Sequence, residues 1–161
     1  MPVGSRVVFT RFLTKDSPKL EPWRSHVDRV MLADNPTAPV SIRGEGFVVW
    51  QLVSANNRQL ARSAHIHDDF DGAVRGAREI ADSAADLAVT LVSERGRGVY
   101  GWFAVSPGNV VMTCARWYLT ERDRRQSVDR ALEALSIAEL HAGARLIDPH
   151  LMGGERVVPA Y

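Results

Sequence analysis

The most ligand-like stretch of the sequence is residues 65–69, which read His-Ile-His-Asp-Asp. Side chains two residues apart on a strand point to the same face, so His65 and His67 with a nearby carboxylate could hold a divalent metal. Asp68, however, is expected to cap a following helix. A matching stretch later in the chain carries an indole and an aliphatic side chain in place of the two imidazoles. We therefore predict neither a metal site nor a cofactor.

Candidate nucleophiles are few, and their sequence surroundings do not favour catalysis. Cys114 lies on a predicted strand with no adjacent histidine, where a cysteine usually acts as a small buried apolar residue. Ser54 and Ser106 lie beside predicted hairpin turns, where a hydroxyl commonly bonds to the local backbone. The sequence contains neither a phosphate-binding loop nor a nucleophile-elbow motif. We therefore predict that the protein is not an enzyme.

Arginine and aromatic residues suggest a second function. A sheet backed by a helix can present arginines and aromatic rings to a nucleic acid. The candidate contacts lie in predicted turns and strands: Arg43, Arg58, Arg62, Arg95, Arg116 and Trp117. Four further arginines between residues 122 and 130 alternate with acidic residues at spacings suited to helical ion pairs. Nucleic-acid binding is therefore kept as the alternative to a protein partner.

The composition favours a protein partner over nucleic acid or a membrane. The 161-residue chain carries 20 basic and 19 acidic side chains, for a net charge of +1. This balance provides no strong field to attract nucleic acid or lipid headgroups. No apolar run approaches the roughly 18 residues of a membrane span. The single cysteine excludes an intrachain disulfide, so we expect a cytoplasmic protein without a membrane partner.

The elements that position these residues are organised as a repeat. Residues 40–57 and 92–109 align at an offset of 52, with nine of eighteen positions identical, including Trp50 and Trp102. The match resumes downstream at an offset of 54, where Val74 aligns with Val128. One supersecondary unit is therefore predicted to occur twice.

Each copy is predicted to contain three antiparallel strands and one helix. Arg-Gly-x-Gly segments at 43–46 and 95–98, and the pairs at 56–57 and 108–109, suit tight hairpin turns. The runs between these turns are rich in β-branched and aromatic residues, as strands are. Their period-two pattern places Trp50 and Trp102 on the face that the helix covers.

The helices are recognised by capping residues and apolar spacing. Segments starting at Asp68 and Thr120 each place an acidic residue three positions after a capping residue. Apolar residues then recur at helical spacing, with the second helix predicted to end near Gly143. Before the repeat, residues 6–14 predict a strand and residues 20–31 a short amphipathic helix, whereas residues 144–161 give no clear prediction.

The repeated unit resembles the bacterial and archaeal YegP-like family, a domain of unknown function often found as tandem repeats. The resemblance rests on residues 50–57, which read WQLVSANN, with Leu60, Ser63 and Ile66 and the helix that follows. In the second copy it rests on Trp102, Asn109, Met112, Tyr118 and the second helix. It covers residues 40–84 and 92–138. It implies strands plus a helix and paired units, and it supplies no catalytic residue.

We therefore predict an α+β protein of two tandem βββα units, in which antiparallel meander sheets are each backed by one helix in a pseudo-twofold arrangement. The expected divisions are an N-terminal segment at 1–39, the units at 40–88 and 89–143, and a tail at 144–161. The predicted function is a non-enzymatic binding or interaction module. Its expected partner is another protein or a second copy of the chain, bound through the sheet edges.

Overall fold

The computed structural model describes residues 4–33, 46–94, 96–107, 109–147 and 155–159. Within these ranges the chain is α+β, with three α-helices and eight strands. The helices are α1 (Glu21–Leu32), α2 (Phe70–Asp82) and α3 (Glu121–Ile137). The strands are β1 (Arg6–Phe12), β2 (Val48–Val53), β3 (Gln59–Ser63), β4 (Ala88–Glu94), β5 (Val99–Ser106), β6 (Asn109–Cys114), β7 (Glu139–Ile147) and β8 (Glu155–Pro159).

All eight described strands form one sheet, in the order β4-β5-β6-β3-β2-β1-β7-β8. Every neighbouring pair is antiparallel except β1 and β7, which are parallel. The prediction of purely antiparallel meander sheets is therefore wrong, because the sheet is mixed. β3 and β6 pair with each other across the middle of the sheet, which removes the edge that each would otherwise expose.

The parallel pair follows from the path of α3. This helix crosses the sheet and ends beside the start of β1, where Ser5 donates from its hydroxyl to the Ala134 carbonyl at 2.9 Å. The Glu139 amide then donates to the Ser5 carbonyl at 3.1 Å. Because the chain re-enters the sheet next to the beginning of β1, β7 runs in the same direction as β1.

The predicted elements differ from the observed ones at several boundaries. The strand expected before Arg43 falls on residues 34–45, outside the described part, and the strand beside β2 is β1. The N-cap of α2 is Asp69, not Asp68, and its carboxylate accepts from the Gly72 amide at 2.7 Å. α3 ends at Ile137, well before Gly143, because residue 139 already pairs with β1.

Positive φ angles occur at the turns where the sequence predicts them. Asn57 has a φ of 65° between β2 and β3, and Gly96 and Gly98 have φ angles of 87° and 63° between β4 and β5. Asparagine and glycine adopt this left-handed conformation at the least cost. The two hairpins are thus set by their turn residues.

One face of the sheet packs against α2 and α3. Trp50 and Trp102 are fully buried on this face, as the period-two pattern predicts. Their neighbours in the core include Phe9, Leu52 and Met112 from the strands. Small residues of the helices, including Ala73, Ala77 and Ala131, allow α2 and α3 to approach the indoles closely.

The opposite face is covered by α1. Trp23 and Val27 of this helix pack with Val49, Ala64 and other residues in a second apolar cluster. The Trp23 indole nitrogen donates to the Ser63 carbonyl at 3.1 Å. The central strands are therefore buried on both sides, which explains why β2 is almost continuously apolar.

Replacing either core tryptophan by alanine is expected to lower the free energy of unfolding by roughly 3–5 kcal/mol, because each change removes a fully buried indole and leaves a cavity. Urea denaturation of Trp50→Ala and Trp102→Ala measures this loss. Leu119→Ala is the control, since Leu119 is 78% exposed and its truncation should change stability by no more than about 0.5 kcal/mol. Near-neutral effects at both tryptophans would contradict the assigned core.

Candidate functional site

The four described residues of the set predicted for nucleic-acid contact do not form one surface. Arg43 and Arg95 lie outside the described residues. Arg62 and Trp117 contact residues of α1, whereas Arg58 and Arg116 line a pocket on the side of the sheet that carries α3. Two of the described residues, Arg62 and Trp117, therefore pack within the protein, and the other two, Arg58 and Arg116, line a pocket.

Arg62 is held between α1 and the end of β6. Its guanidinium lies 4.8 Å from the centre of the Trp23 ring and donates to the Ala115 carbonyl at 2.6 Å. Burial lowers the pKa of Arg62 from its ordinary value. A cation–π contact in a desolvated place stabilises the packing of a helix on a sheet, so Arg62 contributes to the attachment of α1.

His26 and Arg29 of α1 continue the row of polar contacts that Arg62 begins between α1 and the sheet. We call this row the α1 seam. The His26 Nε2–H donates to the Cys114 carbonyl at 2.8 Å, and the ring meets Trp117 edge-on. Burial first, and then the nearby Arg62 and Arg29, lower the pKa of His26 to about 4. Arg29 lies 5.2 Å from the Trp117 ring centre. Trp117 is therefore half-buried in contacts within the protein.

The far end of the seam is an ion pair between α1 and the end of β4. Arg29 donates to the two carboxylate oxygens of Glu94 at 2.7 and 3.1 Å. These hydrogen bonds lower the pKa of Glu94. The fork geometry fixes the orientation of α1 relative to the sheet.

Several cationic side chains surround a pocket beside α3. The pocket has a volume of about 630 Å³. Its charged and hydrogen-bonding lining comes from the start of β3, the segment after β6 and one stripe of α3: Arg58, Gln59, Arg116, Tyr118, Asp123, Gln126, Ser127 and Arg130. We call this cavity the arginine pocket. Its volume lies within the roughly 300–1,000 Å³ range of small-molecule sites.

Three exposed guanidinium groups, from Arg58, Arg116 and Arg130, surround the arginine pocket. None of them forms an ion pair with another residue in the described part of the chain. Arg116 lies 5.4 Å from the centre of the Tyr118 ring. The pocket therefore carries several donors and one carboxylate, that of Asp123.

A chain of hydrogen bonds leads from the core to this pocket. The buried Trp102 indole nitrogen donates to the Ser127 hydroxyl at 2.9 Å, and Ser127 donates to the Tyr118 hydroxyl at 2.7 Å. The backbone of Tyr118 is fixed by two 2.8 Å hydrogen bonds to Tyr100. Tyr118 is thus held at the pocket wall from both its side chain and its main chain.

A smaller pocket of about 190 Å³ lies between α2 and the start of β6. His65, His67, Glu79 and Trp50 line it, and the two imidazole ring centres are 4.7 Å apart. Burial, and secondly His65, lower the pKa of His67 to about 4. Among the described residues no group of three or more histidine, cysteine or acidic side chains is placed to hold a metal ion. We call this cavity the histidine pocket.

Cys114 is fully buried at the end of β6. Burial raises the pKa of its thiol to about 11. Its sulfur accepts from the Trp102 amide at 3.4 Å, and His26 contacts its carbonyl oxygen. The thiol therefore takes part in packing and has no histidine acting on its sulfur in the described region.

Two further observations bear on partners. β4 pairs only with β5 among the described strands, so it is an edge of the sheet, and Leu91 on it is 38% exposed. No helix within the described ranges is long and apolar enough to cross a membrane.

Comparison with known proteins identifies no relative. No protein-family model, no curated protein and no solved structure matches the chain.

Most of the arginine pocket could not be found from the sequence. Arg58 and Arg116 are identified by residue type, but Arg130 stands out only as one of four neighbouring arginines. The signal that was present is spacing: Asp123, Ser127 and Arg130 recur at intervals of four and three, which places them on one side of a helix. Which side faces a cavity depends on tertiary packing.

The buried histidine of the α1 seam predicts a pH effect on stability. Its pKa is about 4 in the folded protein against 6.5 ordinarily, so the unfolded chain binds more protons between these values. Stability contributed by neutral His26 is therefore present above pH 6.5 and lost on acidification towards pH 4, by on the order of 1–2 kcal/mol at pH 5. Urea unfolding at pH 7 and pH 5 measures this loss.

The matched comparison uses two histidine variants. His26→Gln should lose less stability between pH 7 and pH 5 than the wild-type protein, because the titrating group is gone. His141→Gln, at an exposed position, should lose as much as the wild type. Identical pH dependence in all three proteins would mean that His26 is not buried as a neutral ring.

Proposed function

We propose that the protein is a non-enzymatic binding module that captures an anionic ligand in the arginine pocket. The observation that carries the proposal is the meeting of Arg58, Arg116 and Arg130 around one cavity without ion-pair partners among the described residues. Like charges placed together repel, and an anion between them removes the repulsion. Guanidinium forks bind carboxylate and phosphate oxygens in pairs.

The three arginines come from different elements and are not neighbours in the sequence. Their grouping therefore supports a binding role over a chance run of charged residues along the chain. Arg58 precedes β3, Arg116 follows β6 and Arg130 lies on α3. Because β3 and β6 are antiparallel, the start of one lies beside the end of the other. The Cys114 thiol is fully buried and burial raises its pKa to about 11, which supports a packing role for this residue over a nucleophilic one.

We also propose that the chain contains two tandem βββα units, with one change from the sequence prediction: β1 takes the place of the first strand expected within residues 40–88. The units are then β1–β3 with α2 and β4–β6 with α3. The Trp50 amide donates to the Ser63 hydroxyl at 3.2 Å, and the Trp102 amide donates to the Cys114 sulfur at the matching place. The isolated bridges Val48–His67 and Tyr100–Tyr118 also correspond. These pairs support the duplication and the YegP-like resemblance. The single cysteine, which excludes an intrachain disulfide, supports a cytoplasmic location.

Nucleic acid is the alternative ligand within this proposal. Arg58 and Arg116 belong to the set considered for nucleic-acid contact, and an oligonucleotide also offers phosphate groups. The contacts of Arg62 and Trp117 with α1 disfavour a nucleic-acid surface that includes these two residues. A phosphorylated oligonucleotide therefore belongs in any ligand panel.

Isothermal titration with phosphate, sulfate and citrate at low salt tests the pocket. The wild type should bind at least one of these anions, and Arg116→Gln and Arg130→Gln should each weaken that binding about 10- to 100-fold, because each removes a charge-assisted hydrogen bond. Arg125→Gln is the control, because Arg125 is an exposed α3 residue that does not line the pocket. Equal losses in all three variants would indicate a diffuse charge effect, and the pocket proposal would fail.

Self-association through β4 is a second candidate function. An edge strand of seven residues in regular register can pair with another chain, and exposed Leu91 adds an apolar contact. Light scattering at 100 µM should then give the mass of a dimer for the wild type and of a monomer for Leu91→Lys. Leu119→Lys, exposed but away from the edge, should remain dimeric. A monomeric wild-type protein would contradict this candidate.

A further inference from the structure

We infer that the Tyr118 hydroxyl is an oriented hydrogen-bond donor in the arginine pocket, and that the ligand is a phosphorylated small molecule bearing hydroxyl or amino groups. This inference rests on the proposed anion-binding function and specifies its ligand. It follows from the direction of one hydrogen-bond chain and from the types of group that line the cavity.

The chain begins at a group that can only donate. The Trp102 indole N–H has no acceptor capacity, so the Ser127 oxygen, 2.9 Å away, must accept from it. Ser127 then uses its own hydrogen towards the Tyr118 hydroxyl oxygen, 2.7 Å away. The indole fills only one of the two acceptor sites of the Ser127 oxygen, so the outward direction of the chain is carried by the Ser127 donation to Tyr118.

The hydroxyl hydrogen of Tyr118 is consequently not donated to Ser127. Tyr118 lines the arginine pocket, so its O–H is available to an acceptor placed there. Trp102 and Ser127 are both buried, which shields these hydrogen bonds from competition by water. The pocket thus combines an oriented hydroxyl donor with the guanidinium groups of Arg58, Arg116 and Arg130.

This donor set matches a phosphate group better than a carboxylate. A phosphate monoester near neutral pH carries a charge of about −1.5 to −2 and three acceptor oxygens, whereas a carboxylate offers two oxygens and one charge. Three guanidinium groups and a phenolic hydroxyl can donate more hydrogen bonds than the two oxygens of one carboxylate can accept. A phosphate monoester can use donors approaching from several directions.

The other residues that line the arginine pocket indicate which chemical groups the ligand carries besides its phosphate. At about 630 Å³ the cavity is much larger than a single phosphate ion. Asp123 and Gln126, on the α3 wall, are suited to accept from ligand hydroxyl or amino groups. A carboxylate in the same cavity would repel a second anionic group, which favours a molecule with its phosphate at one end and neutral donors at the other.

The histidine pocket provides an internal comparison. It lies at the matching place beside α2. Counted from the N-caps Asp69 and Thr120, Gly76 occupies the position that Ser127 has on α3, and the buried Trp50 indole nitrogen has no hydrogen-bond partner among the described residues. The donor chain is therefore present in the arginine pocket and absent from the histidine pocket, in agreement with a ligand-directed role for Ser127 and Tyr118.

The test is isothermal titration of the full chain with ribose 5-phosphate, inorganic phosphate and citrate. Tyr118→Phe keeps the ring beneath Arg116 but removes the hydroxyl, and it should weaken binding of both phosphate compounds about tenfold. Citrate binding should change less than twofold, which also verifies that the variant is folded. Asp123→Asn should weaken ribose 5-phosphate relative to inorganic phosphate, because it alters the acceptor for the sugar hydroxyls.

The possible failures are distinguishable. Loss of binding in Arg130→Gln with full binding in Tyr118→Phe would overturn the role of the hydroxyl and leave the anion pocket in place. Citrate binding as tight as that of ribose 5-phosphate, or tighter, would contradict the proposal that the ligand is a phosphorylated molecule. Much tighter binding of a 5′-phosphorylated oligonucleotide would replace the small molecule by nucleic acid. Failure of every anion to bind would remove the proposed function itself.

Discussion

The pairing of β3 with β6 is the interaction on which the rest of the structure depends. Only three residue pairs define it, with Ala61, Arg62 and Ser63 opposite Cys114, Thr113 and Met112. This short ladder joins the two halves of the sheet and covers two strand edges at once. Because it is antiparallel, it places the start of each strand against the end of the other, and both pockets lie at these junctions.

The two faces of the sheet are stabilised by different chemistry. Under α2 and α3 the contacts are mostly apolar, with large indoles against small helix residues. Under α1 an apolar cluster is flanked by arginines stacked on tryptophans, a neutral histidine and the Arg29–Glu94 ion pair. Polar contacts of this kind fix the orientation of α1, since a misplaced helix would leave buried charges without partners.

The two junctions differ in charge. Where the arginine pocket has Arg116 and Arg130, the histidine pocket has His65 and Glu79. The Gly76 backbone also lies close to His67: a Cβ at Gly76 would be 2.9 Å from the His67 ring. The smaller cavity is therefore partly filled by its own side chain, whereas the larger one remains open to a ligand.

The sequence by itself determined the local structure. Alternating apolar residues predicted β2 and β5 and their buried faces, turn residues such as Asn57 predicted the hairpins, and a threonine cap predicted the start of α3. These features depend on contacts between neighbours in the chain, so residue type and spacing are sufficient.

Only the tertiary structure decided which strands meet and which side chains share a cavity. The parallel entry of β7 depends on the path of α3 over the whole sheet, and no local pattern encodes it. Arg62 and Arg58 are four residues apart in sequence, yet one packs beneath α1 and the other faces the pocket. Candidate residue types were visible in the sequence, but their grouping depends on long-range packing.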